Sequence, residues 1–384
     1  MKSSNELSKK ITILGAGIAG ITLAWHLSNY VDEIILIDRN ENCAGDASGN
    51  PAGLVMPILG QLQDPAVGFI FHSFLHACDF YSENNQQNFW HQNGLQIELS
   101  SRKQNYLLND PTWKNFLIKK SKNEVFIKTV GWLYPRQAAS FMLSNAKKKN
   151  IKYIQAEIKT LQNQNSNWLA IDESGKIISS STDLILSCGA YGLNFSNSVN
   201  APLHPVRGQI TTVENLESDS IDKNHNFALC RSGYALPLSD KTWLFGASFI
   251  RNDNSTAIRP QEEEQVLSEW LDIFPQLKTQ RKNRESRAAI RAMTSDRLPI
   301  IGQALSDVQP IKKYNDDIFS ANKIPGLWLF TGLGARGLTS APILAKIFVE
   351  EFLGKKIYAN ELLPEKLKSA VSSTRFAKRK WLKN

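Results

Sequence analysis

A short glycine-rich segment near the start of the chain has the spacing of a dinucleotide-binding turn. Gly15, Gly17 and Gly20 follow a β-branched run at 11–14 and precede an apolar stretch with helical spacing. In such a turn the first glycine permits a tight bend, the second lets the backbone approach a pyrophosphate, and the third allows helix and strand to pack closely. The predicted contact residues are Gly15, Ala16, Gly17, Ile18, Ala19 and Gly20.

An acidic residue completes this fingerprint. Asp38 follows a second buried apolar run at 34–37, where a carboxylate can accept hydrogen bonds from ribose hydroxyls. Its charge disfavours NADP, because it would repel a 2′-phosphate. The pattern does not distinguish NAD from FAD. Arg39, the next residue, is also predicted to lie at the nucleotide.

A second glycine-rich turn near the C-terminus favours FAD. Residues 327–331 form another apolar run, Gly332–Gly337 follow it, and a helical pattern begins at about 340. Backbone N–H groups and a helix N-terminus placed there would stabilise negative charge on a reduced flavin ring. A cofactor that reaches both ends of the chain must be long, as FAD is. The segment at 44–60 is rich in Gly, Ser, Asn and Pro and is predicted to be a functional loop. It holds no His or Cys that could attach a flavin, so non-covalent binding is expected.

Composition excludes several classes of protein. The chain has 384 residues, 42% of them apolar and 21% charged, which is typical of a globular protein of two or three domains. No run of about 18 apolar residues predicts a membrane span. Four dispersed cysteines without a CxxC pattern argue against a disulfide framework or a zinc site, and indicate a cytoplasmic protein. His72 and His76 have metal-ligand spacing but no evident third ligand, so no metal is expected.

The order of these motifs resembles the D-amino-acid oxidase/glycine oxidase group of FAD enzymes. The resemblance rests on both glycine turns, on Asp38, and on Arg291 followed by the DRLPIIG segment at 296–302. Further segments are similar to one branch, the FAD oxidoreductase module of the bifunctional tRNA 5-methylaminomethyl-2-thiouridine biosynthesis proteins. These segments are GDASGNPAG at 45–53, MPIL at 56–59, HPVRGQ at 204–209, GY at 233–234, GASF at 246–249 and GARGLTSAP at 334–342. The resemblance covers nearly the whole chain, including the basic end RFAKRKWLKN.

The resemblance implies an α/β fold of two domains. A Rossmann-like FAD domain of the glutathione-reductase type would comprise 1–84, 137–200 and 290–384, and a D-amino-acid-oxidase-like substrate domain with an antiparallel sheet would comprise 85–136 and 201–289. Strands are predicted at 95–99, 125–130, 206–213, 227–237 and 242–249, and helices at 66–82, 137–149 and 260–274. The resemblance adds cofactor contacts at Ala47, Ser48, Gly49, Asn50, Gly53, Gly189, Gly332, Gly334, Ala335, Arg336, Gly337, Leu338 and Thr339.

The activity implied by the resemblance is oxidation of a CH–NH group on RNA. In that branch the carboxymethylaminomethyl group of the tRNA wobble uridine is converted to an aminomethyl group, and glyoxylate is released. Arg291 and Arg336 match positions that anchor the substrate carboxylate, and Tyr234 matches a substrate-orienting tyrosine. Two alternatives stay open: an amine oxidase acting on glycine, sarcosine or a D-amino acid, and a catalytically idle FAD subunit that binds RNA or protein.

The expected partner is the anticodon stem-loop of tRNA. Lys and Arg number 45 against 36 Asp and Glu, a net charge of +9 that favours an anionic partner. Basic clusters lie at 114–122, 147–152 and 375–383, and the sequence does not show which of them contacts RNA. The first strand begins at Ile11, which leaves no room for a preceding methyltransferase module, so a separate methyltransferase chain is a further expected partner.

Overall fold

The computed structural model describes residues 9–147, 150–196, 201–216, 226–306, 323–358 and 363–376. The chain divides into two compact units. The first unit comprises Met1–Gly49, Ala139–His204 and Ala292–Asn384, and the second comprises Asn50–Ala138 and Pro205–Arg291.

The described strands are short and numerous, as expected for a mixed α/β chain. In chain order they are β1 (Lys10–Leu14), β2 (Glu33–Asp38), β3 (Gly53–Val55), β4 (Trp90–His91), β5 (Leu95–Glu98), β6 (Leu117–Lys119), β7 (Glu124–Ile127), β8 (Gly131–Leu133), β9 (Ile151–Gln155), β10 (Ile158–Gln164), β11 (Asn167–Asp172), β12 (Ile177–Ser181), β13 (Asp183–Leu186), β14 (Leu203–Val213), β15 (Ala228–Cys230), β16 (Tyr234–Ser239), β17 (Thr242–Gly246), β18 (Ile250–Arg251), β19 (Arg284–Thr294), β20 (Ile300–Leu305) and β21 (Lys323–Thr331).

The described α-helices lie between these strands. They are α1 (Ile18–Leu27), α2 (Pro65–Glu83), α3 (Ser101–Asn109), α4 (Pro135–Lys147), α5 (Leu193–Ser196), α6 (Pro260–Ser268), α7 (Gly337–Leu353) and α8 (Glu365–Val371). None of the helices in the described ranges is both long and apolar enough to cross a membrane.

The first unit is built on a six-stranded sheet in the order β20-β21-β13-β1-β2-β9. β1 pairs in parallel with β2 and β13, so that Ile11 lies opposite both Ile34 and Asp183. β21 and β9 extend this parallel array, and β20 runs antiparallel to β21. Because parallel strands end at the same edge, the loops that follow β1, β2, β13 and β21 are brought together. A separate antiparallel sheet, β10-β11-β12, completes the strands of this unit.

The second unit is built on a nine-stranded sheet. Its order is β18-β14-β17-β16-β15-β5-β7-β6, with β19 paired to β14. β15 pairs with β5 in parallel, and β14–β17, β16–β17, β5–β7 and β6–β7 are antiparallel pairs, so the sheet has the predicted antiparallel character with one parallel step. A small antiparallel sheet, β3-β8-β4, accompanies it. The single strand predicted at 227–237 is wrong: the chain turns where the N–H of Arg231 donates to the carbonyl of Gly233, giving β15 and β16.

The segment 50–84 lies in the second unit, although the expected domain boundary assigned it to the FAD domain. β3 pairs with β8, and α2 packs its aromatic face against other residues of the second unit. Phe71, for example, meets Trp113 edge-on with ring centroids 5.1 Å apart. These tertiary contacts determine where the segment belongs, and the spacing of apolar residues along the chain does not report them.

The ends of three helices follow from local chemistry. Asp64 caps α2 by accepting hydrogen bonds from the N–H groups of Ala66 and Val67, and Pro65 occupies the first helical position. α7 ends at Gly354, whose φ of 64° lies in the left-handed region. α6 ends at Ser268, earlier than the predicted 274. Beyond it Trp270 and Phe274 are fully buried in the apolar core of the second unit.

Candidate functional site

The first glycine turn follows β1 and opens α1. Gly15 has a φ of 106°, a conformation that residues with side chains rarely adopt. A Cβ on Gly20 would overlap the carbonyl oxygen of Gly15, so no side chain fits there. A Cβ on Gly17 would meet only the Ser48 Oγ, at 3.2 Å. Only one side-chain atom therefore limits the space at Gly17, whereas backbone atoms fill the space at Gly20, and the rest of the surroundings of Gly17 suits the close approach of a ligand.

Asp38 holds this turn from the end of β2. Its Oδ2 accepts a hydrogen bond from the N–H of Ala16 at 2.7 Å, and its Oδ1 accepts two from Asn40, each at 2.9 Å. A carboxylate has about four acceptor sites, so capacity for a ribose hydroxyl remains. Arg39 is turned to Asp46, with an Nη2–Oδ1 distance of 2.7 Å. The hydrogen bond to Asp46 raises the pKa of Arg39.

The loop at 44–49 is fastened to the same turn. Ser48 Oγ accepts a hydrogen bond from the N–H of Ile18 at 2.9 Å, and the N–H of Ala44 donates to the carbonyl of Ala16. Ala47, Ser48 and Gly49 form one 3-10 turn there. The structure therefore brings these three predicted cofactor residues to the N-terminus of α1. Asn50 and Gly53 lie in the second unit, and the Asn50 Oδ1 accepts a hydrogen bond from Arg287 at 2.7 Å.

The second glycine turn follows β21 and leads into α7. Gly332 and Gly334 have φ values of 72° and 57°, and a 3-10 turn at Gly334–Arg336 leads directly into the helix. Gly337 packs against α1, since a Cβ there would lie 3.3 Å from the Cγ2 of Ile18. Ala335, Leu338 and Thr339 belong to the same turn and to the first turns of α7. Both predicted glycine turns thus lie side by side in the first unit.

Two strand-end residues that sequence reasoning missed support this edge. Ser187 Oγ donates to the carbonyl of Leu14 or of Gly15, each at 3.1 Å, and so fixes the first turn from the end of β13. Thr331, at the end of β21, has a buried hydroxyl without a hydrogen-bond partner among the described residues. Ser187 directly follows the buried strand β13, and Thr331 is the last residue of β21. A polar residue at the end of a buried apolar run is the sequence pattern that would have predicted both. Gly189 follows β13, and nothing lies within 4 Å of where its Cβ would be.

These residues fit a dinucleotide. Two helix N-termini, each with N–H groups that have no partner within the helix, point to the edge where the parallel strands end. A bound group that accepts hydrogen bonds would pair with the Thr331 hydroxyl. The same group would fill the open space at Gly189 and lie close to the backbone at Gly17. FAD, with a pyrophosphate and a ring system at one end, meets both needs.

The second unit holds the predicted substrate residues Arg291 and Tyr234. The Arg291 guanidinium lies so close to Gly208 that a Cβ there would overlap it. The Tyr234 ring covers Gly246, where a Cβ would lie 2.7 Å from the Tyr234 hydroxyl oxygen. Burial raises the pKa of Tyr234, and the Arg291 charge opposes that rise. Burial lowers the pKa of Arg291.

Arg291 has no acidic partner among the described residues. No hydrogen bond or ion pair of its guanidinium occurs there, and Tyr234, a neutral phenol, is the titratable neighbour that acts on its pKa. Arg207, a second arginine of the same unit, shows the opposite arrangement. Its fully buried side chain donates to Glu262 at 2.9 Å, to Gln209 at 2.8 Å and to the carbonyl of Ser255. A half-buried arginine without an anion is electrostatically incomplete and suited to bind a carboxylate.

Arg336, the other predicted anchor, lies in the first unit. It is half-buried between the second glycine turn and α7, and its carbonyl accepts a hydrogen bond from the Ser340 hydroxyl at 2.9 Å. Within the described ranges, no cluster of three or more His, Cys, Asp or Glu side chains could hold a metal ion. The four cysteines are all free thiols.

A family comparison decides the class. The model of the FAD dependent oxidoreductase family, DAO, matches residues 10–351. The chain belongs to this family. It is therefore an FAD-dependent oxidoreductase, and the predicted cofactor and enzyme class are confirmed. The predicted relationship to the FAD oxidoreductase module of the bifunctional tRNA 5-methylaminomethyl-2-thiouridine biosynthesis proteins is confirmed as well.

Curated relatives extend this DAO-family assignment. The tRNA 5-methylaminomethyl-2-thiouridine biosynthesis bifunctional protein MnmC of Leptospira interrogans is 27% identical over 94% of this chain and 60% of its own length. The protein of the same description from Pseudoalteromonas atlantica is 25% identical over 92% of this chain and 57% of its own length. The chain thus spans less than two thirds of these relatives. The fold is shared with glycine oxidase from Geobacillus kaustophilus, with a TM-score of 0.71 at 15% identity over 92% of this chain and 97% of that one.

Proposed function

We propose that this DAO-family chain oxidises the carboxymethylaminomethyl group on the wobble uridine of tRNA, giving aminomethyl-uridine and glyoxylate. The observation that carries the proposal is Arg291, a half-buried guanidinium without an acidic partner among the described residues. The substrate arm ends in a carboxylate two bonds from the amine nitrogen. Arginine is the side chain best suited to bind that carboxylate through two parallel hydrogen bonds.

The protein's residues have distinct parts in this reaction. Bound FAD would supply a hydride acceptor for the carbon between the amine nitrogen and the carboxylate. Arg291 fixes the carboxylate and so orients that carbon, and the neutral Tyr234 hydroxyl is available to hold the carboxylate or the amine. With the N–H proton also lost, the carbon–nitrogen bond becomes double, and water cleaves it into the primary amine and glyoxylate. The chain needs no strong acid or base for this sequence, because the substrate amine reacts in its neutral form.

The cofactor residues in this proposal are those of the two glycine turns, Asp38 and the 3-10 turn with Ser48. Support comes from the Gly17 geometry and from the unpaired Thr331 hydroxyl. Arg336 is assigned to the substrate carboxylate as a second cation, on its position in the turn before α7.

The choice of tRNA as substrate is supported by the names of the curated relatives. Those relatives are bifunctional and longer than the matched part, so the proposal covers only the FAD-dependent oxidation. The primary amine produced would be a substrate for a methyltransferase on another chain. The net charge of +9 is consistent with a polyanionic substrate.

The test is anaerobic reduction of the flavin in the purified holoenzyme. We would add tRNA bearing the carboxymethylaminomethyl uridine, and in parallel the same tRNA already bearing aminomethyl-uridine, free glycine and free sarcosine. Loss of the oxidised flavin's visible absorbance with the first tRNA alone, with one glyoxylate released per flavin reduced, is the expected result.

Each other outcome contradicts the proposal in a distinct way. Reduction by glycine or sarcosine alone would make the chain a small-molecule amine oxidase. Reduction by none of the four additions, with FAD still bound, would make it an idle FAD subunit.

A further inference from the structure

We infer that one edge of the large sheet binds the phosphate backbone of the tRNA. The surface, here called the lysine edge, consists of Arg102, Lys103, Lys119, Lys120 and Lys122. The inference rests on the proposed function, since it identifies where the second unit would hold the RNA. All five side chains are exposed and belong to that unit.

The lysine edge is one contiguous surface, although its residues come from a helix, a strand and a turn. The Ser101 hydroxyl donates to Asn123 at 2.7 Å, and Gln104 donates to the carbonyl of Ser121 at 2.9 Å. These bonds hold the first turn of α3 against the turn at 121–123, which carries Lys122. Lys119 and Lys120 enter that turn from β6, the last strand of the sheet.

The charge of this surface is not compensated. Between Leu99 and Lys128 the chain has seven Lys or Arg and two Asp or Glu. Asp110 accepts hydrogen bonds from backbone N–H groups, and Glu124 accepts one from Gln96 at 2.9 Å. Among the described residues, none of the five cations of the lysine edge forms an ion pair. An anion from outside the chain is the partner that such a surface lacks.

The position of two of these cations opposes the stability of α3. Arg102 and Lys103 occupy the second and third positions of this nine-residue helix, and no acidic residue lies in its first turn. Positive side chains at a helix N-terminus are repelled by the helix dipole. A phosphate bound there would be attracted by the dipole and by both side chains, so the unfavourable arrangement becomes favourable in a complex.

The sheet register connects the lysine edge to the proposed reaction site. Lys119 lies opposite Val125, Val125 opposite Ile97, Ile97 opposite Cys230, and Cys230 opposite Tyr234. The five residues form one row across β6, β7, β5, β15 and β16. Four strand spacings separate Lys119 from Tyr234, about 19 Å along the sheet. A free amino acid held near Tyr234 does not reach Lys119, but a macromolecule whose reacting base lies near Tyr234 does.

An exposed aromatic residue accompanies the charges. Tyr106 lies one helical turn after Arg102 and Lys103, and 42% of it is exposed. Aromatic side chains between cations suit unstacked bases of RNA loops. Lysines on an edge strand also prevent sheets from associating, which would explain Lys119 by itself. That role does not explain Arg102, Lys103 or Tyr106, which belong to a helix.

The test compares tRNA binding by two holoenzyme variants that each lose two charges. One is Lys119→Gln/Lys122→Gln on the lysine edge. The control is Lys355→Gln/Lys356→Gln, two exposed lysines that follow α7 in the first unit. Loss of two phosphate contacts should weaken tRNA binding about 10- to 30-fold near 0.15 M salt and reduce the slope of log affinity against log salt by about 1.4 to 1.8. The control should bind tRNA like wild type, and both variants should retain the flavin content of wild type.

The outcomes separate this inference from the proposed function. An equal loss of tRNA affinity in both variants would indicate diffuse electrostatic attraction and would overturn the inference that the lysine edge is the binding surface. Unchanged tRNA affinity in the Lys119→Gln/Lys122→Gln variant would also overturn the inference. If that variant lost binding to anionic lipid vesicles while tRNA affinity stayed the same, the lysine edge would be a membrane-binding surface and the inference would again be wrong. If wild type binds tRNA through these lysines but the modified tRNA does not reduce the flavin, the surface stands and the proposed oxidation fails.

Discussion

Arg375 and Asp296 form a bidentate ion pair across 79 residues of sequence. Arg375 Nε donates to Asp296 Oδ2 at 3.0 Å and Nη2 donates to Oδ1 at 3.1 Å, while Nη2 also donates to the carbonyl of Leu298 at 2.7 Å. Burial disfavours ionisation of Asp296, but the hydrogen bond and charge of Arg375 outweigh it and lower the pKa to about 2. Arg375, included in the basic cluster at 375–383, is therefore a buried structural residue. The other basic residues of that cluster lie outside the described residues.

This ion pair makes the protein sensitive to acid. The pKa of Asp296 lies below its usual 3.8 in the folded state, so the stabilisation is complete above about pH 5 and is lost as the pH falls toward 2. The shift corresponds to about 2 kcal/mol of unfolding free energy. Denaturant unfolding of wild type and Asp296→Asn at pH 7 and pH 3 should show a difference that shrinks by about 1 kcal/mol, roughly half of the total, because Asp296 is still largely ionised in the folded protein at pH 3.

The matched control is Asp272→Asn. Asp272 also pairs with an arginine, Arg231, at 2.8 Å, but 62% of its side chain is exposed. Exposed ion pairs stabilise proteins little, so this variant should unfold almost like wild type at both pH values. An equal pH dependence of the two variants would show that burial of the Asp296 pair is not what makes it stabilising.

Alanine substitutions at Gly17 and at Gly20 should have different effects on flavin binding and on stability. Gly17→Ala places a methyl group 3.2 Å from Ser48 Oγ, a tight contact with a single side chain, and against no other protein atom within 4 Å, so the variant should fold with only a small fall in melting temperature but purify with little flavin. Gly20→Ala overlaps the Gly15 carbonyl and should lower the melting temperature as well. Visible absorbance per protein and thermal unfolding of the apoprotein measure the two effects. Full flavin content in Gly17→Ala would contradict the assigned pyrophosphate approach.

Arg291→Met should abolish carboxylate recognition and leave flavin binding intact. Removing one member of a buried charge pair typically costs 2–5 kcal/mol, so kcat/KM should fall roughly 30-fold or more. The control is Arg251→Met, an exposed arginine of the same unit. Steady-state kinetics measure the kcat/KM of each variant relative to wild type. The substrate is the one that reduces the flavin in the anaerobic test. A variant as active as wild type would show that Arg291 has only a structural role.

Tyr234→Phe should lower activity without changing its pH dependence. Burial raises the pKa of the Tyr234 phenol above its usual value of about 10, so the group is mainly in its neutral form below pH 10. Its removal deletes one hydrogen bond, worth about 0.5–1.5 kcal/mol, and therefore reduces kcat/KM about 2- to 12-fold. Profiles of log kcat/KM from pH 6 to 10 should be parallel for the two enzymes. Disappearance of an ionisation in the variant would assign the titrating group to Tyr234.

The features that sequence predicted best are local ones. The turn at Gly15–Gly20 and the helix after it follow from contiguous residues whose chemistry permits one arrangement. The boundary at Gly49 was not predictable in the same way, because it depends on α2 packing against Trp113 rather than on the composition of α2. The buried state of Arg375 depends on Asp296, far away in sequence. The row from Lys119 to Tyr234 depends on four strand registers, none of which a single strand's pattern reveals.

The strand order of the first unit has a consequence for synthesis of the protein on the ribosome. β1 and β2 are made close together, but the other neighbour of β1, strand β13, follows about 170 residues later. At about 5–20 residues per second, roughly 10 to 30 s pass before that neighbour exists. During this interval β2 can cover one side of Ile11–Leu14, while the other side presents an open apolar edge that can pair with another nascent chain. Yield of soluble enzyme should therefore depend on chaperones that shield this strand more than on the final stability of the folded chain.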